Sequence, residues 1–118
     1  MTYDTNNIFA KILRREIPSN TVYEDDYVLA FHDISPAAPV HVLVIPKREY
    51  VSFDDFAANA PADYMTYFWQ SVRKVAEKLG VDKSGYRLIT NHKEQAGQSV
   101  FHFHVHIVGG RALGGLLP

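Results

Sequence analysis

The 118-residue sequence is 47% hydrophobic and 21% charged, which is typical of a globular chain rather than a disordered one. Its net charge of -1 argues against binding DNA or RNA by bulk electrostatics, and its lack of cysteine excludes disulfides, thiolate zinc sites and a cysteine nucleophile. We expect one domain over residues 1–118, a cytoplasmic location and no membrane partner. The N-terminus lacks a signal-peptide pattern, and no apolar run approaches the roughly 20 residues that span a bilayer.

The first half of the chain predicts one helix and three strands. Asp4 or Thr5 is predicted to cap a helix whose apolar stripe continues to Leu13, and Pro18 ends that segment. Strands are predicted for residues 21–24, 27–34 and 41–45. The last of these is a nearly unbroken apolar run, which indicates a central strand covered on both faces.

The second half predicts a long helix and two more strands. From residue 62 to residue 79, apolar side chains recur at spacings of three and four, and Gly80 follows as the residue that ends the helix. Strands are predicted for residues 86–90 and 100–108, with a loop at 92–99 between them, and no element is predicted for residues 47–61. The short connections favour antiparallel neighbours, so the predicted fold class is α+β.

Three of the six histidines, His102, His104 and His106, stand at alternate positions of the last predicted strand. Side chains alternate between the faces of a strand, so these imidazoles share one face at a spacing of roughly 7 Å, and Phe103 faces the core. A lone histidine is usually an ordinary core or surface residue, and that reading suits His32 taken by itself. A row of three is improbable by chance and predicts an active site.

Two chemistries could use such a row. Histidines at alternate strand positions are common metal ligands, but the only acid near this strand is Glu94, in a loop, so we expect neither a metal nor another cofactor. A neutral imidazole can instead attack phosphorus without first losing a proton, while its neighbours donate to the phosphate oxygens. Gly97 allows close backbone approach to an anion and Ser99 supplies a hydroxyl donor, although the same residues equally suit a plain turn.

The ordered motifs of the chain closely resemble those of the histidine-triad (HIT) nucleotide-binding family, in its Hint branch. The alternating histidine and apolar residues of 102–108 match the family signature. Four further blocks match in order: residues 8–12, residues 31–36, residues 38–47, and residues 96–100 together with the Gly-Gly-Arg of 109–111. All three histidines are retained, which disfavours the nucleotidyl transferase branch.

The resemblance implies a HIT-like α+β fold: an antiparallel sheet of about five strands, an N-terminal helix, one long helix, and assembly into a homodimer. It implies hydrolysis of purine nucleoside 5′-phosphoramidates of the AMP or GMP type. By position, His104 is the nucleophile that forms a nucleotidyl-histidine intermediate. His106 and the backbone near Ser99 hold the phosphate, Ser99 also lies near the leaving nitrogen, and His102 and His41 form a supporting relay.

The resemblance also implies a nucleotide pocket. Asp33 is expected to bind the ribose hydroxyls, and Asn91 is expected beside the ribose and phosphate. The base pocket is expected to consist of Phe9, Ile12, Ile17, Phe31 and Ile34. The wider nucleotide-binding set adds His32, Gly97, Gln98 and Val100. For the apolar residues, a simple place in the core is the competing explanation, and for Ile17 the two are equally good.

Two features concern the leaving group and assembly. Many Hint proteins carry a tryptophan in the C-terminal tail, whereas here the only tryptophan is Trp69, in the long helix. The long helix also carries aromatic side chains off its apolar stripe: Tyr64, Tyr67 and Trp69. Residues 86–90 are a candidate sheet edge, so the helix and this edge are together predicted to form a dimer interface.

Two alternative functions remain. One is a metal-dependent enzyme, and the other is a nucleotide-binding or interaction module with incidental catalysis.

Overall fold

The helices and strands follow the predicted order, with one addition. The computed structural model describes residues 2–117; the predicted domain also includes Met1 and Pro118, which lie outside the described residues. The helices are Ile8–Leu13 (α1), Phe53–Asn59 (α2) and Ala62–Lys78 (α3). The strands are Thr21–Glu24 (β1), Val28–His32 (β2), Val40–Pro46 (β3), Tyr86–Ile89 (β4) and Val105–Gly109 (β5). A short 3-10 turn covers Glu94–Ala96.

The five strands form one sheet in the order β1-β2-β3-β5-β4, and every neighbouring pair is antiparallel. The predicted α+β class and antiparallel sheet are therefore confirmed. The order places β3 and β5 side by side in the interior, whereas β1 and β4 are the edges. Residues at the end of β2, in β3 and in β5 are consequently close in space although they are far apart in sequence.

Apolar side chains cover both faces of the sheet, which explains the unbroken apolar run of β3. On one face, Val42 and Val44 pack with Phe103, Val105 and the buried side of α3. The other face is covered by α1, and its core cluster consists of Phe9, Leu29, Phe31, Leu43 and Ile45. Alternation along each strand divides the residues between these clusters, and the histidines share the face of α1.

The caps of the helices explain where they begin and end. Asn7, rather than Asp4 or Thr5, caps α1, because its side chain accepts a hydrogen bond from the Ala10 amide at 2.9 Å. Asp4 instead accepts from the amide of Asn6. At the end of α3, Gly80 has a φ of +78°, the left-handed conformation expected of a glycine that ends a helix.

Three predictions about the elements were wrong. Helix α2 was missed, although Ser52 stands at its N-cap and two acidic residues fill its first turn. Strand β2 ends at His32 and not at residue 34. Strand β5 begins at Val105 and not at residue 100, because the chain before it leaves the sheet: the Phe103 amide donates to the Tyr50 carbonyl at 2.7 Å.

Among residues 2–117, no helix combines the length and apolarity needed to cross a membrane.

Candidate active site

A cavity of about 560 Å³ lies on the α1 face of the sheet and contains most of the predicted site. Its floor runs across the sheet from His106 on β5, through Leu43 on β3, to Phe31 on β2. The predicted site residues that line it are Phe9, Ile12, Ile17, Phe31, His32, Asp33, Ile34, Ser99, Val100, His104 and His106. The cavity is therefore apolar over most of its length and carries imidazoles at one end.

The three histidines lie on one face, but they do not form a regular strand row. Only His106 belongs to β5, while His102 and His104 precede it. The alternation nevertheless continues, because Phe103 and Val105 pack on the opposite face. The ring centroids of His104 and His106 are 5.1 Å apart, closer than the roughly 7 Å expected from strand rise. The two imidazoles are therefore close neighbours in the site.

His102 is fully buried and both of its ring nitrogens have partners. Its Nε2 lies 2.8 Å from the Pro46 carbonyl oxygen, which can only accept, so Nε2 carries the proton. The hydroxyl of Tyr3 then donates to Nδ1 at 2.6 Å. No sequence signal pointed to Tyr3, since its role depends on the N-terminal segment crossing the site.

His104 presents a free nitrogen to the cavity. Its Nδ1 lies 2.7 Å from the His102 carbonyl oxygen, so Nδ1 carries the proton and Nε2 carries a lone pair. Among the described residues, every deeply buried side-chain nitrogen or oxygen has a hydrogen-bond partner. The unpaired Nε2 therefore faces open space. The edge of this ring also packs against Phe9, with centroids 5.0 Å apart.

His106 has the opposite proton arrangement, imposed by His41. The Ala37 amide donates to Nδ1 of His41 at 3.0 Å, so the proton of neutral His41 is on Nε2. That nitrogen donates to Nδ1 of His106 at 2.8 Å, which leaves the His106 proton on Nε2. The site thus offers one imidazole lone pair and, beside it, one imidazole N–H donor.

Asp33 lies at the histidine end of the cavity. The expectation that no carboxylate approaches the histidines was therefore wrong. One of its oxygens is 3.4 Å from Nε2 of His41, and the other accepts from the Ser35 amide at 2.8 Å. Three potential metal ligands lie within 4.8 Å of one another, one atom each from Asp33, His41 and His106. These three residues could therefore hold a metal ion. The sequence reasoning missed this cluster because Asp33 is far from the histidines along the chain.

Burial keeps the triad neutral. Loss of solvation lowers the pKa of His102 from 6.5 to about 4. It also lowers the pKa of His106 to about 4, with His104 and His41 contributing in the same direction. Burial is likewise the main cause that lowers the pKa of His104. At neutral pH the lone pair on His104 is therefore available.

Three predicted binding residues lie outside this cavity. Asn91 lines a neighbouring depression of about 330 Å³, whose wall also includes His41, His106 and, from the C-terminal tail, Arg111 and Leu113. Gly97 has a φ of +89°, which suits glycine, but it does not line the cavity. The side chain of Gln98 is buried, bonds to the backbone of Val51 and Val100, and does not line the cavity.

The sequence reasoning also missed several lining residues. These are Ile8, Pro18, Ser19, Asn20 and Leu43. Leu43 had a signal, because it alternates with the residues of the opposite core face. The segment after α1 had none, since its position across the cavity depends on the Asn20 carbonyl accepting from the His32 amide at 3.0 Å.

Comparisons with known proteins agree with this fold. The HIT domain matches residues 14–113. An uncharacterised HIT-like protein of Rickettsia prowazekii is 49% identical over 98% of this chain and 96% of its own length. The purine nucleoside phosphoramidase of Escherichia coli is 46% identical over 93% of this chain and 92% of its own length.

A solved structure gives the same result. The HIT family hydrolase of Clostridium thermocellum superposes with a TM-score of 0.87 at 46% identity, covering 95% of this chain and 97% of that one. A match of this extent at this identity reflects common descent rather than a shared architecture alone. The chain therefore belongs to the HIT family, as its histidine triad and accompanying motifs indicate.

Proposed function

We propose that the protein hydrolyses the P–N bond of purine nucleoside 5′-phosphoramidates through a covalent nucleotidyl-histidine intermediate. The observation that carries the proposal is the proton arrangement: His104 Nε2 is a free lone pair, while the adjacent His106 Nε2–H is a donor. A nucleophile and a donor side by side are what displacement at a phosphorus centre requires. The similarity to a purine nucleoside phosphoramidase supports this substrate class.

The reaction divides into two displacements. In the first, His104 Nε2 bonds to phosphorus, and the P–N bond breaks as the nitrogen leaves with the proton of the Ser99 hydroxyl. His106 Nε2–H meanwhile donates to the phosphoryl oxygens, whose charge increases. In the second, water attacks the phosphorus, the P–Nε2 bond breaks, and one proton of the water returns to the Ser99 oxygen. The products are the free amine and a nucleoside monophosphate.

The remainder of the cavity suits a nucleoside. Apolar side chains that include Phe9, Ile12 and Phe31 form a slot for a flat base. Asp33 stands between this slot and the histidines, where its carboxylate can accept from the two ribose hydroxyls. Asn91 lines the neighbouring depression together with His106, and not the base slot.

A metal-dependent reaction is the second candidate, and the cluster of Asp33, His41 and His106 favours it. The hydrogen bond between the two imidazoles argues against it, since their shared proton occupies the space between two of the three ligand atoms. A metal ion would have to displace that proton.

The test is a hydrolysis screen of AMP and GMP phosphoramidates with varied amine leaving groups, using the wild-type protein and His104→Ala. We expect the variant to lose essentially all turnover and still bind AMP, because the base slot remains. His106→Ala should retain more activity, since loss of one donor costs about 3–4 kcal/mol of transition-state stabilisation. Quenching in alkaline denaturant, which preserves the acid-labile P–N bond, should trap a mass increase of one nucleotidyl group on His104. Near wild-type turnover by His104→Ala would reject the proposal.

A further inference from the structure

A buried side-chain amide helps to hold the loop before the triad. This loop, residues 92–98, leads directly into Ser99 and Val100, which line the cavity. Gln98 is the residue before Ser99, and its side chain is only 5% exposed. It does not line the cavity, so its role differs from the nucleotide contact that the sequence suggested.

Every hydrogen-bonding site on the nitrogen of this amide is used. Nε2 donates to the Val51 carbonyl at 2.8 Å and to the Val100 carbonyl at 3.0 Å. Oε1 accepts from the Lys93 amide at 2.9 Å. The side chain thus connects three chain segments: the start of the loop, its exit, and the residues that precede α2.

The loop needs such a connection because its backbone is unusual at both ends. Lys93 has a φ of +68°, a conformation that non-glycine residues rarely adopt, and Gly97 has a φ of +89°. The Lys93 amide donates to the Gln98 side chain, while the Gln98 amide donates to the Lys93 carbonyl at 3.0 Å. This reciprocal pair closes the turn at the strained residue.

A second connection is parallel to the first. Nδ1 of His92 lies 2.8 Å from the hydroxyl of Ser52, next to the Val51 carbonyl that Gln98 binds. The start of the loop is therefore attached at residue 52 and its end at residue 51. Ser99 follows immediately, without a residue between it and the buried amide to absorb an error in position.

We propose that Gln98 is a positioning residue, which sets the placement of Ser99 against His104 and His106 and so acts on catalysis through Ser99. This inference rests on the proposed function for the role of Ser99. The amide group is required because two carbonyl oxygens converge on Nε2. A carboxylate there would face both oxygens without a donor, and an apolar side chain would leave them unpaired.

The test is a double-mutant cycle between Gln98→Glu and Ser99→Ala. Gln98→Glu has nearly the same shape and can still accept from Lys93. We expect it to lower kcat for a phosphoramidate by about tenfold or more with little change in KM, since a contact that matters in the transition state is misplaced. When Ser99 is already alanine, the same change should lower kcat by less than about threefold, because coupled residues are not additive.

Two further variants separate positioning from loss of stability. Gln98→Met keeps the length of the side chain without introducing a repulsive oxygen, and it replaces Gln98→Glu in the cycle if the latter does not fold. Ser71→Ala removes a similarly buried hydrogen bond, from Ser71 to the Tyr67 carbonyl at 2.8 Å, on α3 at the opposite face of the sheet. It should leave kcat within about twofold of wild type, since distant sites act independently.

Coupling between Gln98 and Ser99, together with a neutral control, supports the inference. Additive effects, or wild-type kcat in both folded Gln98 variants, would overturn it. The same cycle measured by calorimetry as affinity for adenosine with orthovanadate, which together mimic the five-coordinate phosphorus of the transition state, keeps the two proposals apart. If the wild-type protein cleaves no phosphoramidate, the proposed function fails, whereas a coupled loss of affinity for adenosine with orthovanadate would still support positioning by Gln98, and additive losses or no loss would still reject it.

Discussion

His104 and His106 are the same kind of side chain two residues apart, and they carry their protons on opposite ring nitrogens. Neighbouring groups determine this difference: the His102 carbonyl oxygen fixes the tautomer of His104, and His41 fixes that of His106. The sequence predicts a shared face for the triad because alternation is a local property of the chain. It does not predict the tautomers, which depend on a backbone turn and on a residue of another strand.

Asp33 is expected to select ribose. Its carboxylate borders the base slot and the histidines, and two vicinal hydroxyls would supply it with donors. Asp33→Ala should therefore weaken the binding of ribonucleotides far more than that of their 2′-deoxy analogues. Calorimetric titration of AMP and 2′-deoxy-AMP measures this difference, and equal losses for both sugars would contradict the role. Asp82→Ala, which removes an exposed carboxylate outside the cavity, is the matched control and should change neither affinity.

Protonation of His102 is expected to limit stability in acid. Burial lowers the pKa of His102 from 6.5 to about 4 in the folded protein. The unfolded chain therefore binds a proton that the folded protein excludes, and the free energy of unfolding falls as the pH drops from 6.5 to about 4. A shift of this size corresponds to roughly 3 kcal/mol.

Urea unfolding at a series of pH values measures the effect of His102. His102→Asn should be less stable at pH 7 and should lose less of its stability between pH 6.5 and pH 4.5. The exposed His32→Gln should follow the wild-type curve. If the His102 variant and the wild type lost stability in parallel, the acid sensitivity would belong to other groups.

At the scale of the elements, regular patterns were predicted and irregular ones were not. The spacing in α3 and the two-faced run of β3 are local features, so their places along the chain were predicted well. The start of β5 was wrong because Phe103 pairs with Tyr50, a residue outside the sheet. Helix α2 is seven residues long and buries only Phe56, so it lacks the repeated apolar stripe on which recognition of α3 rested.

Three elements together bring Asp33 to the histidines, and this bears on metal dependence. Asp33 follows β2, His41 lies on β3 and His106 on β5, which are neighbours in the sheet. We still expect metal-independent catalysis, because a proton already joins the two imidazoles. Turnover should survive dialysis against a strong chelator, with no stoichiometric metal in elemental analysis. Loss of activity that zinc restores would instead favour a metal enzyme.

At the scale of the whole molecule, one edge of the sheet carries exposed apolar side chains. Strand β4 is an edge, as predicted, and its Leu88 is 44% exposed. Leu88 pairs with Ile107, whose side chain faces α3, and Trp69 on α3 is 37% exposed. The expectation for Tyr64 was wrong, because it is buried in the core with its hydroxyl bonded to the Tyr27 carbonyl. Tyr67 is half-buried, and its hydroxyl donates to Asp25.

We expect a homodimer in which β4 pairs with its two-fold mate and the exposed part of α3 joins the contact. An edge strand with unpaired backbone groups and apolar side chains is usually covered, and a closed two-fold pair covers both edges at once. Sedimentation equilibrium at micromolar concentration should give a mass of two chains, whereas a mass near 13.4 kDa would reject the dimer.

Variants locate the interface. Leu88→Lys should yield monomers, because it places a charge on each edge where the two strands meet. Leu117→Lys, on an exposed side chain of the C-terminal tail, should remain dimeric. A dimer that also survives truncation after Gly110 would locate the interface in the helix and the sheet and leave the tail a role in substrate choice alone.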